Sequence, residues 1–533
     1  MSAGEAAAWW QTGILYQIYP RSFQDSDGDG VGDLAGITRR LDYLAWLGVD
    51  AIWLSPIYPS PMADFGYDVS DYLDVDQSFG TLADFDRLAA EAHRRGLRLI
   101  LDYVPNHSSD RHPWFVESRS SRTAAKRDWY IWRDPRPDGS LPNNWLSEFG
   151  GPAWEPDPAT GQCYYHAYLK QQPDLNWRNP AVRAAMHDVL RFWLERGVDG
   201  FRIDALHHLI KDDRFRDNPA NPDFKPGMLP GRTLKRLYTI DRPEVHEAIA
   251  GLRKVLDEYA DRLLIAEIHL PLERLMAYYG AALDEIHLPF NFGLLNAPWS
   301  APALQGIIQR YEAALPAGAW PNWVLGNHDS SRIATRAGPK MARLAAMLLL
   351  TLRGTPTMYY GDELGMTDVP IPPARVQDPV EKNVPGLGLG RDPERTPMRW
   401  SPDPKGGFTT GRPWLPLDRG VGACNVETQS RDPRSMLSLY RRLIALRRSE
   451  AALVLGELDI CDAEPECLAF IRHRGQDRLL VVLNFAGGKR RLPLQKKGAT
   501  SQLIFSSDAA RAPEPVADGV ELRPGEGVVL NLA

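Results

Sequence analysis

The chain is 533 residues long, 44% hydrophobic and 24% charged, enough apolar material for a large core and one or two smaller domains. Its formal net charge of -6 leaves no basic surplus to neutralise phosphates, which excludes a general nucleic-acid binder. The N-terminal Met1-Ser2-Ala3-Gly4-Glu5 lacks the cationic end and apolar core of an export signal. The longest apolar run, residues 344–352 between Arg343 and Arg353, is too short to span a bilayer. A cytoplasmic protein without a membrane partner is expected. Its four cysteines (Cys163, Cys424, Cys461 and Cys467) are too sparse for a disulfide framework and lack metal-ligand spacing, so they are expected as reduced thiols.

From the N-terminus, an apolar run at 14–18 reads as a first strand. It is followed by Asp25-Ser26-Asp27-Gly28-Asp29-Gly30-Val31-Gly32-Asp33, with carboxylates at alternate positions and glycines that permit a tight wrap around an oxygen-ligated cation. The loop is not an EF-hand, because its twelfth position is Gly36 rather than a bidentate Glu; a metal-free acidic turn is the alternative. Strand-like runs continue at 51–54, 97–104, 200–203, 263–266, 286–290, 323–325 and 357–360. Stretches with helical spacing lie between them, among them 82–95, 181–196, 244–259 and 341–352. Eight such alternations specify an α/β fold, a (β/α)8 TIM barrel, rather than a sandwich or a bundle.

The gap from 105 to 177 is rich in Trp, Pro, Asn and Gly without a strong period, and reads as a small domain inserted after strand 3 over the barrel mouth. A second irregular stretch, 366–431, should line the same mouth. After a helix near 435–448, short alternating runs at 467–472, 478–485, 501–505, 520–522 and 527–532 predict a C-terminal all-β sandwich domain. The expected division is 1–104 with 178–452 for the barrel, 105–177 for the insert and 453–533 for the sandwich.

Three carboxylates stand just past predicted strands: Asp204 in Gly200-Phe201-Arg202-Ile203-Asp204-Ala205, Glu267 in Leu264-Ile265-Ala266-Glu267, and Asp329 in Leu325-Gly326-Asn327-His328-Asp329. In a parallel barrel, catalytic groups project from these strand ends. Retaining cleavage of an acetal needs one ionised carboxylate and one protonated acid about 5 Å apart. Arg202, two residues before Asp204 and on the same face, is expected to keep that carboxylate ionised as the nucleophile. Glu267, preceded by apolar residues, suits a raised pKa and proton donation.

At these positions the chain resembles the α-amylase family, glycoside hydrolase family 13, and within it the exo-acting α-glucosidase and oligo-1,6-glucosidase branch. The family's motifs are matched in order by Asp102-Tyr103-Val104-Pro105-Asn106-His107, by residues 200–205, by Glu267 and by Asn327-His328-Asp329, with Gln172-Pro173-Asp174-Leu175-Asn176 as the fifth. The resemblance implies Asp204 as nucleophile, Glu267 as general acid/base and Asp329 as the stabiliser that grips sugar hydroxyls. It also implies that His107, His328 and Arg202 contact the same ring, that Asp64 pairs with Arg395 to close the pocket behind a terminal glucose, and that Tyr67 is the stacking platform. Asp102 would brace the site. Phe149, Tyr168 and Gln172 are candidate substrate contacts, with core of the inserted domain as the alternative for Phe149 and Tyr168. The relatives bind structural Ca2+ or Mg2+ through Asp25, Asp27, Asp29, the Val31 carbonyl and Asp33.

In the resembling branch, the residue after the nucleophile tracks linkage, and here it is Ala205, the choice of α-1,4-cleaving members. A retaining exo-α-glucosidase acting on a small oligosaccharide or disaccharide is therefore expected, preferring maltose-like substrates and open to transglucosylation, as a monomer or weak homo-oligomer. A sucrose or maltose isomerase and an oligo-1,6-glucosidase are the enzymatic alternatives. A non-catalytic amylase-like scaffold is the alternative of another class, disfavoured because the acids are retained and no transmembrane segment is present.

Overall fold

The computed structural model describes residues 7–417, 419–494 and 501–532. Eight parallel strands form the barrel: β1 (Leu15–Ile18), β2 (Ala51–Leu54), β3 (Arg98–Tyr103), β4 (Gly200–Ile203), β5 (Leu263–Ala266), β6 (Leu288–Pro289), β7 (Asn322–Val324) and β8 (Thr355–Tyr359). The ladder runs from β7 through β8 to β1 and on in sequence order to β6, so the eighth strand closes onto the first. The run expected at 286–290 yields only two paired residues, Leu288 and Pro289, after which the Phe290 N–H still donates to the Ala266 carbonyl (2.9 Å).

Strand alternation explains which residues meet inside. Leu15, Ala51, Trp53, Ile100, Leu263, Ile265 and Leu288 pack together as the barrel's interior. Tyr16, Ile18, Ile52, Leu54, Leu99, Leu101, Phe201 and Leu264 belong to the larger core under the helices. Asp102, Arg202 and Glu267 continue the inward parity at the C-terminal ends of their strands. Asp102 lies opposite Arg202, and Arg202 opposite Ile265, in the parallel register.

The covering helices carry orthodox ends. Thr81 and Asp84 form a capping box on Leu82–Arg94, and Asn179 caps Pro180–Glu195, which has Pro at N1. Between β3 and that second helix lies a three-stranded antiparallel sheet with Gln162–Tyr165 at its centre, built on Trp145, Trp154 and Tyr165.

The C-terminal region is a six-stranded antiparallel sheet and a two-stranded ribbon, Arg490–Pro493 with Gly519–Leu522. One face of the larger sheet, Leu468, Phe470, Leu479, Val481 and Val529, joins the barrel's core. The other face, with Ala469, Leu480, Val482 and Leu530, packs on Val520 and Leu522 of the ribbon. Strands Glu457–Cys461, Arg490–Pro493 and Glu514–Val516 were not expected from the sequence; they are short, with largely exposed residues that give little apolar alternation. No helix is long and apolar enough to cross a membrane among the described residues.

Candidate active site

The barrel's upper rim is organised around one buried guanidinium. Arg202, 1% exposed, sends Nη1 to Asp102 Oδ1 (2.7 Å) and Asp204 Oδ1 (2.9 Å), and Nη2 to Glu267 Oε2. Backbone bonds fix where these carboxylates leave their strands: Asp204 donates its N–H to the Tyr103 carbonyl, and Glu267 donates to that of Ile203. Ala205 then turns left-handed at φ 47°, so the chain bends away directly after Asp204.

A chain of hydrogen bonds orients the facing groups. The Gln17 amide bonds His328 Nδ1 (2.7 Å), His328 Nε2 bonds the Tyr67 hydroxyl (2.7 Å), and that hydroxyl donates to Asp102 Oδ2 (3.0 Å). With Nδ1 accepting, Nε2 carries the proton, and burial keeps His328 neutral by pushing its pKa down to about 3. His107, likewise lowered to about 3 by burial, sits between the Asn106 and Gln172 amides.

A second cationic centre closes the far side. Arg395 donates through Nε to the His328 carbonyl and through Nη2 to Asp329 Oδ1, both at 2.6 Å. The expected pairing of Asp64 with Arg395 is corrected here: the ion pair of Asp64 is with Arg391, at 2.7 Å. Arg391 also holds Asp378 (2.7 Å) and reaches Asp329 (3.2 Å). Arg391 precedes and Arg395 ends the short turn Asp392–Arg395, so a spacing of four brings both to one place. Ser22 ties that turn to the strand β1 end, its hydroxyl donating to the Arg395 carbonyl.

The resulting cavity of about 310 Å³ is lined by Asp64, Tyr67, His107, Phe149, Tyr168, Gln172, Asp204, Glu267, Asp329 and Arg391 among others. Phe149 and Tyr168 thus face the cavity, their rings edge-on at 5.4 Å. Ala205, next to Asp204, is 2% exposed and is not among the residues lining the cavity. The lining also includes His207, His208, Glu148, Arg232 and Arg236, none singled out from the sequence. Arg391, Asp378 and His269 were also missed. The available signals were the spacing of Arg391 to Arg395 and the inward parity of His269, two residues beyond Glu267.

The titration behaviour reverses the expectation for the two central acids. Burial would raise Glu267, but Arg202 and a 2.7 Å hydrogen bond from His269 Nε2 outweigh it and hold this carboxyl below its usual range. Burial pushes Asp204 well up against the opposing pull of Arg202, reinforced by the nearby charges of Glu267, Asp102 and Asp329. The physical reason is His269, which gives Glu267 a second donor while Asp204 has only its share of Arg202. Asp329 is held low by His328, Arg391 and Arg395 against its burial, and Asp102 is pushed up to about 6 by burial.

In the acidic loop, oxygens of Asp25, Asp27 and Asp29 lie within 4.8 Å of one another, an all-oxygen donor set of the kind a hard divalent cation takes. Burial and the charges of Asp27, Asp25 and Asp33 raise the Asp29 pKa, a repulsion that a cation would relieve. Asp33 stands outside this group. Its two oxygens accept from Gly36 N (2.6 Å) and Ser26 N (2.7 Å), because it caps the helix Leu34–Arg39. Val31 donates its N–H to Asp29 Oδ1 (2.7 Å).

A model of the alpha amylase catalytic domain matches residues 17–456. A probable alpha-glucosidase of Rhizobium meliloti (strain 1021) is 43% identical over 520 residues, covering 93% of this chain and 94% of the relative. An oligo-1,6-glucosidase of Parageobacillus thermoglucosidasius is 38% identical, covering 98% and 99%. The solved structure of the alpha-glucosyl transfer enzyme XgtA superposes with a TM-score of 0.94 at 40% identity, covering 99% of this chain and all of the other.

Proposed function

The chain belongs to the α-amylase family of glycoside hydrolases, and from that membership we propose that it is a retaining, exo-acting α-glucosidase that prefers α-1,4 over α-1,6 linkages. The observation that carries the reading is the sharing of one guanidinium by Asp204 and Glu267. Two carboxylates gripped by the terminal nitrogens of a single arginine are held near one another, which supports the close class, about 5 Å apart, over the wider class of about 6.5–9.5 Å that leaves room for a water between them.

In this reading Asp204 attacks the anomeric carbon as Glu267 protonates the departing oxygen, and the glucosyl-enzyme is then opened by water or by an alcohol that Glu267 deprotonates. The site is rich in negative charge, with Asp64, Asp102, Asp204, Glu267, Asp329 and Asp378 arrayed against Arg202, Arg391 and Arg395. That surplus stabilises the positive charge that develops on the sugar ring. Catalysis needs the proton on Glu267 and the charge on Asp204, so substrate binding must favour protonated Glu267 over the ionised form that Arg202 and His269 stabilise.

Arg391 and Asp64, sealed by Gln172 (3.3 Å from Asp64), support a blind-ended pocket for a terminal glucose, hence exo action. Ala205 supports the α-1,4 preference, since a larger side chain there would crowd the aglycone; the discrimination is worth about 1–3 kcal/mol. Asp25, Asp27 and Asp29 would hold a structural Ca2+ or Mg2+, which neutralises their mutual repulsion and takes no part in the reaction.

The decisive experiment compares kcat/KM for maltose and isomaltose, with product analysis on sucrose. Higher kcat/KM for maltose and glucose as product are expected. Preference for isomaltose would transfer the chain to the oligo-1,6-glucosidases, and isomeric disaccharides from sucrose would make it an isomerase. Asp204→Asn should lower turnover of an aryl α-glucoside by at least about 10³-fold; undiminished turnover removes Asp204 as nucleophile.

A further inference from the structure

We propose that His269 is a positioning residue for Glu267, competing with the leaving-group oxygen for a single carboxylate oxygen. The inference rests on the reading of Glu267 as the acid/base.

Glu267 has two oxygens, and Oε2 is committed to Arg202, whose guanidinium is buried and also engaged by Asp102 and Asp204. Only Oε1 remains to meet a substrate oxygen, and it is Oε1 that His269 Nε2 bonds at 2.7 Å. The His269 ring lies nearly parallel to that of Phe292, with centroids 4.6 Å apart and planes at 14°, so the Phe292 face braces it with one nitrogen toward the carboxylate. The side chain is 45% exposed, so the brace is one-sided and the ring is able to swing out toward solvent.

A donor on the ionised carboxylate favours the ionised form. While His269 holds Oε1, Glu267 is a poor proton holder; once a leaving-group oxygen takes that place, Glu267 becomes a better one. Over a full cycle Glu267 gives a proton to the leaving oxygen and recovers one from the incoming water or alcohol. Both transfers are made by Glu267, so the part of His269 is positional.

The other charged and titratable groups facing this pair come from three strand ends and one turn. Asp102 stands at β3, Arg202 and Asp204 at β4, Asp329 beyond β7, and His207 and His208 follow β4, with the His207 ring 6.2 Å from that of His269. Both of these histidines are kept neutral by burial. Among the described residues, His269 is the donor to Oε1.

Two variants separate the N–H from the ring. His269→Phe keeps a flat ring on Phe292 and removes the donor; His269→Gln keeps an N–H donor and loses the ring. The test is the pH profile of kcat/KM on 4-nitrophenyl α-glucoside and maltose, together with a carbon-13 titration of the Glu267 carboxyl, which needs no turnover. For His269→Phe, the alkaline limb and the Glu267 titration should both move up by about 1 pH unit. His269→Gln should leave both within about 0.3 pH unit of wild type, whatever it does to KM.

Identical titration of Glu267 in wild type and His269→Phe overturns the proposal, as do equal shifts in both variants, which would indicate packing alone. Absence of wild-type turnover on every α-glucoside would instead remove the functional reading, and the carboxyl titration would still decide the contact.

Discussion

Arg391 shows how much one side chain carries. It joins Asp64, Asp378 and Asp329 through a planar fork and lies over the Phe149 ring at 5.1 Å. A lysine offers one charged point and cannot reproduce that geometry. Arg391→Lys is therefore expected to raise KM for maltose at least about tenfold, because Asp64 and Asp329 lose their common partner. Arg391→Ala should also cost about 3 kcal/mol of stability, through the buried carboxylates left unpaired, and read as a lower thermal midpoint. Unchanged KM in the lysine variant would mean that Arg395 alone holds the pocket. At this scale the sequence was readable where a role follows from position past a strand: Asp204 and Glu267 stand one residue past theirs and Asp329 five. It was unreadable where the role depends on distance through space, as for the pairing of Asp64 with Arg391. Nothing in the spacing from Asp64 to Arg391 shows that the two touch, and the assignment to Arg395 failed for that reason.

Among the elements, the acidic loop is the one whose behaviour is easiest to isolate. It is pinned to a distant segment: the Thr409 hydroxyl donates to Asp25, Asp25 N donates to the Phe408 carbonyl, and Trp414 N to that of Gly30. A Cβ at Gly30, where φ is +97°, would lie 1.9 Å from the Arg412 carbonyl oxygen. Gly30→Ala is therefore expected to lower the thermal midpoint and weaken cation affinity together. Chelation of the wild type should lower its midpoint by several degrees, with recovery on adding Ca2+; a midpoint indifferent to both would leave the loop a metal-free acidic turn. The strands and helices were legible to within a few residues because buried parallel strands are short apolar blocks and their helices have a strong 3.6 period. The exceptions were physical. β6 pairs at only two residues of its apolar run, and the exposed strands of the C-terminal sheet had no apolar face to display.

Across the whole molecule, buried Arg472 joins the C-terminal sheet to the barrel, and buried Arg447, on the barrel's helix Met436–Ser449, supports the same region. Arg472 donates to the carbonyls of Thr351 (2.6 Å) and Gly456 (2.9 Å), and Arg447 to those of Leu350 (3.0 Å) and Gly354 (2.6 Å). Together they satisfy carbonyls at the C-terminal end of the helix Pro339–Thr351, which lack intrahelical partners. Arg472→Met would fill the space but leave those oxygens without donors, at a cost of about 1–3 kcal/mol for each buried group. The expected outcome is a lower thermal midpoint with kcat/KM on maltose within about twofold of wild type, since the rim lies at the strands' other end. A large fall in kcat/KM at unchanged midpoint would show that the sheet steadies the pocket instead.

The inward parity of β3, β4 and β5 sets a rule for descent as well as for folding. Deleting one residue from Gly200–Ile203 would swing Arg202 or Asp204 toward the helices and disperse the cluster, whereas removing two would keep its aspect. Lineages diverging from this chain can lengthen their connecting segments almost at will, but must change their staves in even steps.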